Sequence, residues 1–343
     1  MKQVKIKTME ELAQLSGISR PTLSKFFNDA DSVRKSTRSR IEDALERYDY
    51  TPNFYAINQN RKLTKNIGIV VPFLADPFFS EIARVIEQRC IAAGYSPSLF
   101  NSHGDAEQEC DILDALRSLK PAGVLLAPLG RTSNRSELES FCRDVPTVLF
   151  DSNLEGIGEA FVGSDNYSFV SQTVEYLSRT GEPPSFVEMR TPANPNAHSR
   201  RRAYIDMMTR LGLEPQVIQI EGQGWSFEEI GRAGGFHLLD EKTLRTDTVL
   251  CSNDRLAIGF LSACYESGIR VGRQKDMDLR LASHDNNPFS QFTCPSLTTA
   301  AHDFAAVSET AVDTLFNVID AGGHLENRTE TLFPAQLIIR NSA

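Results

Sequence analysis

Missing from this chain are most of the patterns that mark an enzyme, a membrane protein or a metal module. Its 343 residues contain no apolar run approaching the roughly 18 residues of a spanning helix. No membrane partner is therefore expected. Neither a G-x-S-x-G elbow nor a P-loop occurs, and the six histidines (His103, His198, His237, His284, His302, His324) show no metal-ligand spacing. His284 and Asp285 are adjacent, but neighbours on a strand point to opposite faces. No catalytic residue, metal or cofactor is expected. The six cysteines form no C-x-x-C pair and read as reduced thiols. Met1 to Lys7 is too short and too charged for a secretory leader. Together these features lead to the expectation of a cytoplasmic protein. Tryptophan occurs once, at Trp225.

What is present is unevenly spread. The net charge is −9, yet residues 1–62 hold twelve Lys and Arg against eight Asp and Glu. A small basic head thus sits on an acidic body, and only the head suits a phosphate backbone. The acidic body would be repelled from a duplex, favouring one docking orientation.

The head reads as short helices. Thr8 and Glu11 make a capping box for a helix whose apolar side is Leu12, Ala13 and Leu15. Gly17 breaks it. Ser19 is the next N-cap, with Pro21 in the first turn, where a missing N–H is harmless. Ser36 or Thr37 is expected to cap a third helix carrying Ile41, Ala44, Leu45 and Tyr48 at helical spacing. Two helices joined by a tight glycine turn are a helix-turn-helix candidate. Its second helix would enter the major groove with Arg20, Thr22, Ser24 and Lys25 outward and Leu23, Phe26 and Phe27 inward. Arginine can take guanine O6 and N7 together, whereas lysine and hydroxyls more often hold phosphates.

From Ile67 the pattern changes. Ile67-Gly68-Ile69-Val70-Val71 is a continuous apolar run, the mark of a parallel strand buried on both faces. Strand and helix then alternate to about Asp151, and a second series of similar length runs from about Ser168 to Ser283. The expected class is α/β: an N-terminal all-helical helix-turn-helix domain followed by a doubly wound parallel-sheet domain of two lobes. Asp151, Asn253 with Asp254, and Asp285 each follow an apolar strand. Polar groups at the carboxyl ends of parallel strands point into the crevice where ligands bind.

The run from Thr8 to Asn28, the Tyr50-Thr51-Pro52-Asn53 box, and Ile67 to Pro72 followed by Asp76-Pro77-Phe78-Phe79 together resemble the LacI/GalR family of transcription regulators. The resemblance covers essentially the whole chain. It implies a helix-turn-helix at 1–50, a hinge at 51–66, and a periplasmic-binding-protein-like effector and dimerisation domain at 67–343. Within the last, an N-lobe is expected over 67–163 and 296–323, and a C-lobe over 164–295 and 324–343. DNA contacts are implied at Thr8, Ser19, Arg20, Pro21, Thr22, Ser24, Lys25, Asn28 and Asn53, and along the hinge at Ala56, Ile57, Gln59 and Asn60. The two residues after the N-cap serine read bases in that family. Here they are Arg20 and Pro21, and proline brings no side-chain hydrogen bond. Gln59 stands where the family carries the Leu that wedges between base steps.

The same resemblance implies effector contacts at Asp76, Phe78, Phe79, Asp151, Arg200, Trp225, Asn253 and Asp285. Carboxylates, amides, a guanidinium and an aromatic platform suit a carbohydrate. A purine or a phosphosugar is the alternative. The expected partners are a pseudo-palindromic DNA operator, a small-molecule effector of carbohydrate type and a second copy in a homodimer. A solute-binding protein without a regulatory role is the rival from another class, and the basic head speaks against it.

Overall fold

The computed structural model describes residues 6, 8–28, 30–50, 64–191 and 195–343. The chain divides into two compact units, Met1–Thr64 and Lys65–Ala343.

The first unit contains α1 (Met9–Ser16), α2 (Arg20–Asn28), a 3-10 turn (Ala30–Ser32) and α3 (Lys35–Tyr48). The capping box forms: the Glu11 N–H donates to Thr8 Oγ1 at 3.2 Å, and the Thr8 N–H donates to Glu11 Oε2 at 3.1 Å. Gly17 ends α1 at φ 65°, a left-handed position that favours glycine. The Thr22 N–H donates to Ser19 Oγ, as an N-cap serine requires. Leu12, Leu23 and Ile41 are fully buried and join the three helices, with Phe26, Phe27 and Tyr48 packed around them. The expected cap of α3 is corrected. Helix geometry begins at Lys35, and the N-cap is Arg34, whose carbonyl accepts from Thr37 and Arg38 while its side chain caps nothing. Ser36 and Thr37 lie inside the first turn.

The second unit is built on two six-stranded sheets. The first contains β1 (Asn66–Val71), β2 (Ser96–Asn101), β3 (Gly123–Leu126), β4 (Thr147–Phe150), β5 (Ala160–Ser164) and β11 (Thr329–Phe333), in the order β11-β5-β4-β3-β1-β2. The second contains β6 (Ser185–Met189), β7 (Val217–Ile220), β8 (Thr248–Cys251), β9 (Arg280–Asp285), β10 (Thr298–Ala301) and β12 (Gln336–Ile338), in the order β12-β10-β9-β8-β6-β7. All pairings are parallel except β10 with β12. The central strands β3, β4 and β8 are buried along their length, which explains their unbroken apolar sequence. Helices α4 (Pro77–Ala92), α5 (Ala106–Leu119), α6 (Arg135–Asp144) and α11 (Phe304–Asp320) accompany the first sheet. Helices α7 (Asn166–Thr180), α8 (Ala197–Arg210), α9 (Phe227–Asp240) and α10 (Asp254–Glu266) accompany the second.

The lobe boundaries near the C-terminus differ from expectation. Residues 298–301 pair with β9 and belong to the second lobe, whereas residues 329–333 pair with β5 and belong to the first. The chain therefore crosses between lobes near 165, 302 and 334. Strand pairing decides this, and apolar pattern cannot tell one sheet from the other. No helix among the described residues is long and apolar enough to cross a membrane.

Candidate functional site

In the first unit, α2 turns Leu23 into the core and leaves Arg20, Pro21 and Lys25 exposed, with Thr22 and Ser24 half-buried beside them. Arg20 Nε lies 3.9 Å from Glu10, with both side chains mostly in solvent. Such a pair is weak and gives way easily to a stronger anion. Ser19 and Thr22 share a hydroxyl contact at 2.7 Å at the helix start. Thr8 uses its hydroxyl to cap α1. The side chain of Asn28, and Asn53, Ala56, Ile57, Gln59 and Asn60, lie outside the described residues.

In the second unit, all eight expected effector residues (Asp76, Phe78, Phe79, Asp151, Arg200, Trp225, Asn253 and Asp285) border one cleft between the lobes. Asp76, Phe78, Phe79 and Asp151 come from the first lobe, and the others come from the second. The reason is topological: carboxyl ends of the strands in both sheets face the same crevice. The side chains leave a cavity of about 30 Å3 between them, room for water but not for a sugar ring. A larger depression of about 740 Å3 adjoins it and shares Asp151, Pro195 and Asn196. That depression is open, and Arg202, one of the arginines lining it, is 82% exposed.

Arg200 organises the cleft floor. Its Nε donates to Asn166 Oδ1 at 3.0 Å, Nη1 to the Ser252 carbonyl at 2.8 Å and Nη2 to Asp285 Oδ1 at 2.6 Å. Burial pushes the Asp285 carboxyl up, but the Arg200 charge and the His302 hydrogen bond outweigh it and hold the group below the usual aspartate range. His302 sits at a lobe crossing. Its ring bridges Asp285 Oδ1 at 3.2 Å and Ser164 Oγ at 2.7 Å. Burial lowers its pKa, so the ring is neutral near pH 7 and donates from Nε2 to Asp285.

Among the described residues, contacts between the lobes include the following. Arg255 Nη1 donates to Asp76 Oδ2 at 3.1 Å, while its Nε and Nη2 grip Glu228 at 2.7 Å each. The Asn196 amide donates to the Asp151 carbonyl at 3.1 Å and to Asp151 Oδ1 at 2.9 Å. Trp225 stacks on Phe73 with ring centroids 5.0 Å apart and planes at 11°. It also meets the edges of Phe79 and Phe227. Gly104 makes room: a Cβ there would lie 2.6 Å from Trp225 Nε1.

Asp76 both caps α4, through Phe78 N–H, and receives Arg255. Burial still leaves its pKa raised. Asn253 likewise caps α10, through Leu256 N–H. Burial pushes Asp151 up to about 7, against the pull of Arg200 and helped by Asp285 and Asp76. Asp151 and Asp285 have φ of 61° and 109°. Both lie at positive φ, which costs a non-glycine residue backbone energy.

Sequence reasoning did not place Pro195, Asn196, Phe227 and Arg255 in the cleft. Arg255 had a legible signal, since it follows Asn253-Asp254 at the end of β8. Its partner Glu228 had none. That pair exists because Gly231 and Gly259 let α9 and α10 approach until a Cβ on either would strike the other's backbone. Asp254 points away from the cleft. It takes bonds from Ser290, Thr299 and the Asn287 N–H, and burial raises it to about 7.

Residues 8–53 match the bacterial regulatory proteins of the lacI family, and residues 184–343 match a periplasmic binding protein-like domain. The chain is similar to the NTD biosynthesis operon regulator NtdR of Bacillus subtilis, at 25% identity over 335 residues covering 98% of this chain and 99% of that protein. It is also similar to the HTH-type transcriptional repressor CytR of Escherichia coli, at 29% identity over 344 residues covering 99% and 97%. Among solved structures, the Lac repressor dimer bound to operator and the anti-inducer ONPF matches with a TM-score of 0.84 at 25% identity. That match covers 98% of this chain and 99% of the other.

Proposed function

We propose, from the premise that this chain belongs to the lacI family and is a DNA-binding transcriptional repressor with an effector-binding domain, that its effector is a carbohydrate-type molecule held in the cleft between the lobes. The observation that carries this is the convergence of Asp76, Asp151, Arg200, Asn253 and Asp285 with Phe78 and Trp225 around one crevice. Carboxylates and amides match the hydroxyls of a polyol, and an aromatic face matches its C–H face. Because the cleft is nearly filled, entry requires the lobes to part. A ligand that favours one lobe angle over the other then shifts the population between DNA-binding and released states.

On the DNA side, Arg20 is the base reader and Lys25 the phosphate contact, with Pro21 contributing shape alone. The Lac repressor structure is of a dimer on operator. Two copies of the present chain on a pseudo-palindromic operator follow the same plan. The experiment is a thermal-shift screen of sugars, glycosides, phosphosugars and purines, followed by operator binding with each hit. Sugar hits should lower operator affinity. Stabilisation by purines alone would overturn the carbohydrate reading. Operator affinity that survived removal of residues 1–62 would overturn the DNA reading.

A further inference from the structure

We propose that the effector carries a protonated amine, and that this amine seats on Asp151. The inference rests on the reading of the cleft as the effector site and narrows its ligand class to amino sugars and similarly sized aminated polyols.

The argument is a charge balance. Three carboxylates border the cleft (Asp76, Asp151 and Asp285) against two guanidiniums, Arg200 and Arg255. Both guanidiniums are engaged. Arg200 directs its three donor positions to Asn166, the Ser252 carbonyl and Asp285. Arg255 holds Glu228 with two nitrogens and Asp76 with the third. His302 is neutral near pH 7 and is occupied by Asp285 and Ser164. Asp151 is left with a neutral partner, the Asn196 amide, which satisfies Oδ1. Among the described residues, the ion pairs of the cleft reach Asp285 and Asp76 but not Asp151.

Arg200 pulls on Asp151 but directs its hydrogen bonds elsewhere, so lobe closure over a neutral ligand would drive Asp151 to take up a proton, whereas a ligand cation lets it stay ionised. A metal ion is not favoured as the missing charge: among the described residues no group of three or more His, Cys, Asp or Glu is placed to hold one. An ammonium group supplies a single positive charge and three donors in the volume of a hydroxyl. The rings of Phe78 and Trp225 border the same space, and aromatic faces also attract an ammonium. The remaining hydroxyls of such a ligand keep Asp285, Asn253 and Asp76 as acceptors.

The test uses the full-length protein. Glucosamine, galactosamine and mannosamine are each titrated against the parent hexose and the N-acetyl derivative. Binding is followed by the fluorescence of Trp225, the chain's single tryptophan, and by thermal shift. At least one amino sugar should bind about tenfold or more tightly than both of its neutral counterparts, as expected for a charge-assisted bond. Asp151→Asn should abolish that preference, so that amino sugar and neutral hexose bind alike, whatever the variant's absolute affinity. Asparagine tolerates the positive φ and keeps an oxygen for Asn196, so this variant is expected to fold, and its cooperative thermal unfolding and retained operator binding check that it has. Neutral hexoses binding as well as their amines, or an amine preference that survives Asp151→Asn, would overturn the proposal and leave the carbohydrate reading standing. Binding by none of these probes, amine or neutral, would overturn both.

Discussion

Arg20 and Lys25 share one exposed helix face, and substitution tests the different roles proposed for them. Arg20→Ala should cost about 1–3 kcal/mol of discrimination at one operator base pair, read by competition between operator variants. Lys25→Ala should weaken binding to all sequences alike and reduce the salt dependence by about one counter-ion, read from affinity against salt concentration. Asp151 gives a pH signature. Its carboxyl stands at about 7 in the folded chain and near the ordinary aspartate value when unfolded. Between those values the folded state holds the extra proton, so stability is full at the acidic end and falls as pH rises toward 7. Asp254 acts in the same direction. Asp285, held low, acts in the opposite sense and only in stronger acid. The melting temperature of the protein without effector should decline between about pH 4 and 7, and Asp151→Asn should make that decline shallower. The places of Asp151 and Asp285 at the cleft were legible because each follows an apolar strand. The neutral state of His302 was not, since it depends on a crossing that buries the ring.

At the scale of elements, most of the helices announce themselves through caps. Thr8 with Glu11, Gly17 and Ser19 could be read directly, because capping is local in sequence and needs no tertiary partner. The start of α3 could not, because a backbone carbonyl at Arg34 did the work assigned to a hydroxyl. Replacing the Thr8 cap by alanine should destabilise the first unit by about 1 kcal/mol, measurable by thermal unfolding. The turn after β2 supplies a second test. Gly104 has φ 75° and leaves no space for a side chain beside Trp225. Gly104→Ala should displace the indole from Phe73 and shift its fluorescence to longer wavelength. An unchanged spectrum would mean that the turn yields instead.

At the scale of the whole second unit, the lobes are joined by ions as well as by chain crossings. Arg255, Asp76 and Glu228 form one bridge of this kind, with Arg255 and Asp76 mostly buried. Arg255→Ala leaves Asp76 enclosed without its cation. It should destabilise the unit by about 3 kcal/mol in urea unfolding and favour parted lobes, read as a larger radius of gyration by small-angle scattering. Removing a solvent-exposed pair such as Arg232–Glu266 should leave the urea midpoint nearly unchanged.

The linear sequence by itself determined the helix-turn-helix, the alternation of strands and helices, and which polar residues stand at strand ends. Each of these is written in short-range periodicity, capping chemistry or turn residues. Only the tertiary structure decided which sheet receives β10 and β11, and that Arg255 is shared between Glu228 and Asp76 while, among the described residues, Asp151 is in no ion pair. Those outcomes depend on strand pairing and helix approach between residues far apart in the chain. Hydrophobic pattern specifies that a strand is buried, but not against which neighbour, and charge balance in a cleft exists only once its walls have met.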